Sequence, residues 1–162
     1  MLASIIQLKE LVFQRISVEA ARSVNDIGPG EAIRFDFNKV KFRVQLETGT
    51  VAPEGDAEPR LFAITLGIGI DNSEGKPAPY TVDVVALGLI EVSEKVEKEK
   101  REDLASVNGA SLIYGAIREM VTTLTSRCIP GPFVLPTMDF RDQIQKRAAE
   151  APREVETKMS ES

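Results

Sequence analysis

The segment from Asn108 to Arg127 constrains the fold most, because it reads as a helix with hardly any polar side. Leu112, Ile113, Ala116, Ile117, Met120, Val121 and Leu124 form its apolar stripe, and Gly109, Ala110, Ser111, Gly115, Thr122 and Thr123 interleave it with small residues. Only Arg118, Glu119 and Arg127 are charged. A helix apolar on several sides must be buried on several sides. Gly115 costs about 1 kcal/mol relative to Ala inside a helix, so its presence predicts a close neighbour. One small sheet covers one side only, and the remaining side predicts a subunit interface. Ser106 or Asn108 is the expected N-cap. The run Cys128–Pro136, with three prolines and a glycine, cannot continue the helix. A second helix is expected from Asp139, its N-cap, to Glu150, followed by a polar, frayed tail.

Upstream, the chain reads as strands. Residues 39–47 alternate strictly, with Val40, Phe42, Val44 and Leu46 on one side and charged or amide side chains on the other. Ile33, Phe35 and Phe37 are apolar at the opposite parity, so a bulge, bend or loop is expected between Phe37 and Val40. Residues 48–60 read as a surface loop. Leu61–Asp71 has a large apolar face (Phe62, Ile64, Leu66, Ile68, Ile70) and a small one (Ala63, Thr65, Gly67, Gly69). Residues 72–79 read as a hairpin loop, and Tyr80–Val92 as a strand covered on both faces. Glu91–Asp103 is a charge run whose pairs Glu91/Lys95, Glu94/Lys98 and Glu97/Arg101 suit a solvated helical connector. In the first 20 residues Ile5, Leu8, Val12 and Ile16 stand at helical spacing, while Ile16 and Val18 alternate as in a strand, so periodicity leaves the segment open.

The chain offers little to catalysis. Of 162 residues none is histidine and Cys128 is the single cysteine, which removes the usual general base, metal ligand and thiolate cluster. Gly67-Ile-Gly69 lies inside a strand, where a dinucleotide fingerprint has no helix to follow it. Cys128 follows Arg127, yet has no base beside it. The acid pairs Asp36/Glu47 and Asp139/Asp142 lack an aromatic sugar platform, since the chain has no Trp and two Tyr. No enzyme, cofactor or metal is therefore expected. The net charge of −5 carries no basic stripe for nucleic acid, and no apolar run approaches the roughly 20 residues of a membrane span. Without an export signal at Met1–Glu10, a cytoplasmic protein is expected.

Residues 113–127, Ile-Tyr-Gly-Ala-Ile-Arg-Glu-Met-Val-Thr-Thr-Leu-Thr-Ser-Arg, resemble the long helix of the SecB export-chaperone family, and the resemblance continues through Pro-Gly-Pro-Phe-Val-Leu-Pro-Thr-Met-Asp-Phe140. Gln7–Ala20 looks like that family's first strand. The resemblance implies an α+β fold: a four-stranded antiparallel sheet followed by a long and a shorter helix, assembled as a dimer of dimers. It makes residues 1–150 a chaperone domain and 151–162 a flexible tail, and it makes the opening segment a strand. It also implies a homotetramer whose interface uses Leu112, Gly115, Ala116, Glu119, Met120 and Thr123. Two departures stand out. Glu19 and Asp83 keep acids where the family docks its SecA-type translocation ATPase, but Arg15 replaces the first-strand acid. The family's aromatic-Pro-Tyr motif is reduced to Tyr114-Gly115-Ala116.

The implied function is that of an ATP-independent holdase for unfolded polypeptides, serving protein export. Its expected groove is lined by Phe35, Phe37, Leu87, Leu89, Val134, Leu135, Met138 and Ile144. Grooves linked on one tetramer raise avidity without new contacts. The alternatives are a SecB-like chaperone dedicated to one partner, such as an antitoxin, and a non-catalytic carrier of apolar ligands.

Overall fold

The computed structural model describes residues 4–21, 28–55 and 57–142. Four strands, β1 (Ile6–Ala20), β2 (Arg43–Thr50), β3 (Leu61–Ile70) and β4 (Tyr80–Val92), form an antiparallel sheet in the order β1-β4-β3-β2. The chain from β1 to β2 therefore crosses from one sheet edge to the other. The helix α1 (Lys98–Thr125) lies across one face and touches all four strands. The α+β architecture expected from the sequence is present.

The core lies between that face and α1. Phe62, Ile64, Leu66, Ile68 and Ile70 of β3, at most 3% exposed, meet Ala110, Ile113, Ile117 and Val121 of α1, all 0% exposed. Gly109 permits the closest approach: a Cβ there would stand 2.9 Å from Cγ1 of both Ile64 and Ile90. On the other face the small residues of β3 are overlaid by neighbouring side chains. Gln45 and Val85 lie over Gly67, and the Arg43 guanidinium covers Gly69.

The opening segment is a strand whose pattern is scrambled by two register shifts against β4, between Leu8 and Glu10 and between Phe13 and Arg15. Lys9 and Gln14 are the extra residues. Ile6, Leu8, Leu11, Phe13, Ile16 and Val18 then pair with residues on the buried face of β4, at intervals of two and three instead of a steady two. A bulged strand thus imitates helical spacing.

Several expectations are corrected. The second strand begins at Arg43, not 39, and extends to Thr50, so 48–50 are sheet and not loop. Asn38 and Lys39 turn the chain, and Lys39 adopts a left-handed φ of 66°, which is the break that the parity change required. β4 alternates between buried and half-buried, so helical cover reaches one face only. The helix starts at Lys98, ten residues early, with Glu97 as an N-cap that makes no side-chain bond. Ser106 and Asn108 lie inside it: Ser106 Oγ accepts a bond from Thr48 Oγ1, and Asn108 Nδ2 donates to the Leu104 carbonyl. The charge run is helical from Lys98 and holds a local pair, Glu97 with Lys100 at 2.6 Å, but Glu91, Glu94 and Arg101 pair with distant residues rather than in the expected i,i+4 ladder. Glu91 bonds Lys9 and Arg60, and Arg101 is buried. Its guanidinium donates to the carbonyls of Val96, Glu94 and Pro59 and pairs with Glu58 at 3.1 Å. One side chain thereby ties the helix start to the β2–β3 loop, and each of its three nitrogens meets an acceptor.

Beyond α1, residues 126–140 run back along the helix without forming one. The Arg118 Nε donates to the Leu135 carbonyl, and the Tyr114 hydroxyl to that of Pro136. Asp139 accepts from the Arg141 amide as an N-cap does, but the expected second helix, with Ile144, and the tail lie outside the described residues beyond Asp142.

Candidate functional site

Chain reversal and crossover converge on a cluster of rings. Ala32 ends up buried where a short 3-10 turn (Glu31–Arg34) docks on the post-helix segment, its amide bonding the Pro130 carbonyl at 2.8 Å. This delivers Phe35 and Phe37 onto Phe133, with centroids 6.0 and 5.1 Å away. Phe35 and Phe37 stack edge to face at 5.1 Å, Phe42 lies 5.8 Å from Phe37, and Tyr80 5.3 Å from Phe133. Such offset and edge-on pairs are favourable beyond the area they bury. Phe133 and Tyr80 are sealed, whereas Phe35, Phe37 and Phe42 are half-buried and form the outer wall. The Tyr80 hydroxyl donates to the Gly131 carbonyl at 2.8 Å, and burial pushes its pKa up to about 12.

Of the expected groove residues, Phe35 and Phe37 stand together here. Leu135 is fully buried beneath the helix, Val134 is 41% exposed, and Met138 is half-buried against the core. Leu87 and Leu89 face away, on the open side of the sheet, where Val12 and Glu10 stand opposite them. The expected groove set is therefore divided between the two faces. Phe42, Tyr80 and Phe133 belong to the ring cluster but were not expected in it. Phe133 sits in a proline-glycine loop whose sequence gives no periodic signal.

The second feature is apolar surface that the protomer leaves open. Leu112 and Leu124 on α1 are each 45% exposed, and a Cβ on Gly115 would meet none of the described residues within 4 Å. Glu119 and Thr123 are exposed on the same helix, and Ala116 and Met120 are half-buried. The adjoining edge strand β1 exposes Leu8 and Ile16 on the helix side and Val12 on the open face, and Ile5 is exposed just before the strand, all between 39% and 49%. An apolar recess of about 380 Å³ opens where Ile5 meets Val96, Leu104 and Val107.

The third feature is the open sheet face. Asp83 is gripped from both sides, by Arg15 at 3.0 Å and Arg43 at 2.9 Å. At the far end Glu91 is held by Lys9 at 3.0 Å, which together with Arg60 keeps its carboxyl below the usual range. Glu19 is exposed and accepts a bond from the Ser17 hydroxyl at 3.5 Å. One acid of each pair weighed for catalysis contacts a basic side chain. Asp36 binds Lys76, and Asp139 is clasped by Arg141, which holds its pKa at about 2. Among the described residues there is no metal-binding group of three His, Cys, Asp or Glu, and no helix long and apolar enough to cross a membrane.

The described residues thus present a ring-lined wall, an exposed helix face and an open sheet face. No family model matches the chain. In sequence it is similar to the protein-export protein SecB of Anaplasma phagocytophilum (strain HZ), 28% identical over 101 residues. The match covers 60% of this chain and 64% of that protein, so it spans less than two thirds of the relative's length. Two solved structures are similar at lower levels. One is a SecB-like chaperone of Mycobacterium tuberculosis in complex with a ChAD peptide from the HigA1 antitoxin, at 19% identity, TM-score 0.44, and coverage of 82% of this chain and 90% of that one. The other is a protein of unknown function from Streptococcus agalactiae, at 10% identity, TM-score 0.49, and coverage of 82% and 97%. Over the matched stretch the chain resembles SecB in sequence.

Proposed function

We propose that this chain is a non-catalytic, ATP-independent holdase that binds non-native polypeptides on apolar surface and works as a cytoplasmic homotetramer, a dimer of dimers, in protein export. Residues 1–150 form the chaperone domain in this reading. The observation that carries it is the apolar surface left open on one protomer: the α1 face around Leu112, Gly115 and Leu124, and the ring wall of Phe35, Phe37 and Phe42. Contiguous exposed apolar surface is the kind that marks contact sites. The helix face, with Ala116, Glu119, Met120 and Thr123, serves assembly. The ring wall, with Val134 and Met138, serves clients, for which a methionine is adaptable. Binding unfolded but not folded clients shifts the folding equilibrium by mass action.

The test is suppression of aggregation of an unrelated unfolded protein without nucleotide, together with the native mass. Suppression by a tetramer is expected; a monomer at micromolar concentration that suppresses nothing refutes the reading. A co-purified apolar ligand in place of client binding would favour the carrier alternative.

A second reading, a chaperone dedicated to one partner, is favoured by the state of Asp83. With Arg15 and Arg43 on its carboxylate, the open sheet face offers little free negative charge to a translocation ATPase at that position. Glu19 remains exposed. Binding of a SecA-type ATPase that weakens on Glu19→Gln and Asp83→Asn would support the export role. No binding, with capture of a single partner, would support the dedicated one.

A further inference from the structure

The ring wall is closed by a clip that belongs to neither of its neighbouring strands. Residues 35–42 are anchored at one end by Ala32, on the Pro130 carbonyl, and at the other by Arg43, where β2 begins. Between those anchors the tip of the β3–β4 hairpin holds them down. Val40 and Gly75 form an isolated antiparallel bridge, and the Lys76 amide donates to the Lys39 carbonyl at 2.9 Å. The Lys76 ammonium donates to the Asp36 carbonyl at 2.6 Å, lies 3.5 Å from the Asp36 carboxylate, and sits 4.7 Å over the Phe35 ring. Lys41 pairs with Glu74.

Three properties make this a catch rather than more core. Its side-chain contacts are polar and wet: Lys76 is 38% and Asp36 70% exposed, so water and salt weaken them. The held segment carries Lys39 at φ 66°, a left-handed conformation that a lysine rarely adopts unaided. The catch also needs a glycine, because a Cβ on Gly75 (φ 75°) would lie 2.7 Å from the Lys39 carbonyl oxygen. Underneath, the protein's own rings occupy the space a client side chain would need: Phe133 is 0% exposed, with Phe35 and Phe37 on it.

From this geometry we infer that the hairpin tip around Gly75 and Lys76 is a latch, and that its release lets residues 35–41 swing off Phe133 and opens the ring cluster to a client's apolar side chains. The inference rests on the ring wall being the client site. Lys76 is the pin: it binds the backbone, the carboxylate and the ring of the segment it restrains.

The test compares the full chain with Lys76→Met, which keeps the stem and loses the charge, and Lys76→Arg, which keeps the charge. Hydrogen exchange at the Lys76 amide, which bonds the Lys39 carbonyl, and uptake of the apolar dye bis-ANS read the latch without any client. In Lys76→Met both are expected to rise about fivefold, the size of one partly exposed charged contact. Exchange in the middle of β3 and β4 should stay unchanged, and Lys76→Arg should match the parent. Gly75→Ala forces the same opening from the backbone side and is expected to give the same gain. Parent-like dye uptake and exchange in both Lys76→Met and Gly75→Ala would overturn the latch, as would Lys76→Arg behaving like Lys76→Met. Capture of a permanently unfolded protein by the parent and by Lys76→Met is measured in parallel. Dye uptake that rises while neither chain captures client would overturn the client-site reading and leave the latch standing.

Discussion

Gly109 and Gly115 lie six positions apart on α1, and the same substitution should act on them with opposite sign. Replacing either by Ala removes the backbone-entropy penalty of a helical glycine, a gain of about 1 kcal/mol. At Gly115 none of the described residues stands within 4 Å of the new methyl, so the whole gain is kept in the protomer. At Gly109 the methyl arrives 2.9 Å from Cγ1 of Ile64 and of Ile90, atoms near the base of side chains that are 0% exposed. Neither can retreat without moving β3 or β4 away from the helix, and overpacking of that kind costs about 1–3 kcal/mol. Gly109→Ala is therefore neutral to about 2 kcal/mol destabilising. The helix term is common to both variants, so their difference of about 1–3 kcal/mol isolates the packing. That corresponds to roughly 2–12 °C in Tm for a chain of this size. Urea and thermal unfolding at matched m-value are the assay. Gly109→Ala as stable as Gly115→Ala would refute the account of the helix–sheet contact. Protein concentration adds a second readout. If α1 packs on another α1 through Gly115, the gain shrinks or reverses as concentration rises through assembly, and native mass shows the tetramer weakened.

Other outcomes follow from single contacts. Thr125 is 0% exposed; its hydroxyl donates to the Val121 carbonyl and accepts the Phe133 amide, each at 2.8 Å. Thr125→Val strands that amide and is expected to cost about 1–3 kcal/mol, while Thr125→Ser keeps the bonds and costs less, as chemical denaturation would show. Burial raises the Tyr80 and Tyr114 hydroxyls to about 12 from an ordinary 10.0. A raised folded pKa means that the stabilisation is intact below pH 10.0 and is lost as pH climbs toward about 12. Tyrosinate absorbance should therefore appear together with loss of helical circular dichroism, and ionisation at the ordinary pH with the fold intact would refute the burial argument. Arg101→Met removes the tie between the α1 start and the β2–β3 loop, and should leave the Val96 and Glu94 carbonyls without that donor and speed hydrogen exchange at residues 96–100.

The sequence by itself determined β3, β4, the helix from Asn108 onward and the break after it. In these segments the pattern is local: period two gives β3 one fully buried face, and Pro130, Pro132 and Pro136 forbid a helix across the reversal. The resemblance in residues 113–140 settled β1, which periodicity could not, because bulges at Lys9 and Gln14 each insert a residue and flip the faces. Phe35 and Phe37 could be singled out in the sequence because their parity conflicts with Val40 and the strand after it, and both fall in the ring cluster. Phe133, Tyr80 and the latch were not, and neither was the grip of Arg15 and Arg43 on Asp83. Those depend on side chains about 40 to 100 positions apart meeting after the crossover and the hairpin are in place. Local periodicity records which side of an element is apolar, but only the tertiary structure decides which residues of distant elements face each other across it. The same holds for charge: a run of acids and bases shows what can pair, and the packed fold chooses Glu58 for Arg101 and Lys9 for Glu91 over nearer neighbours in the chain.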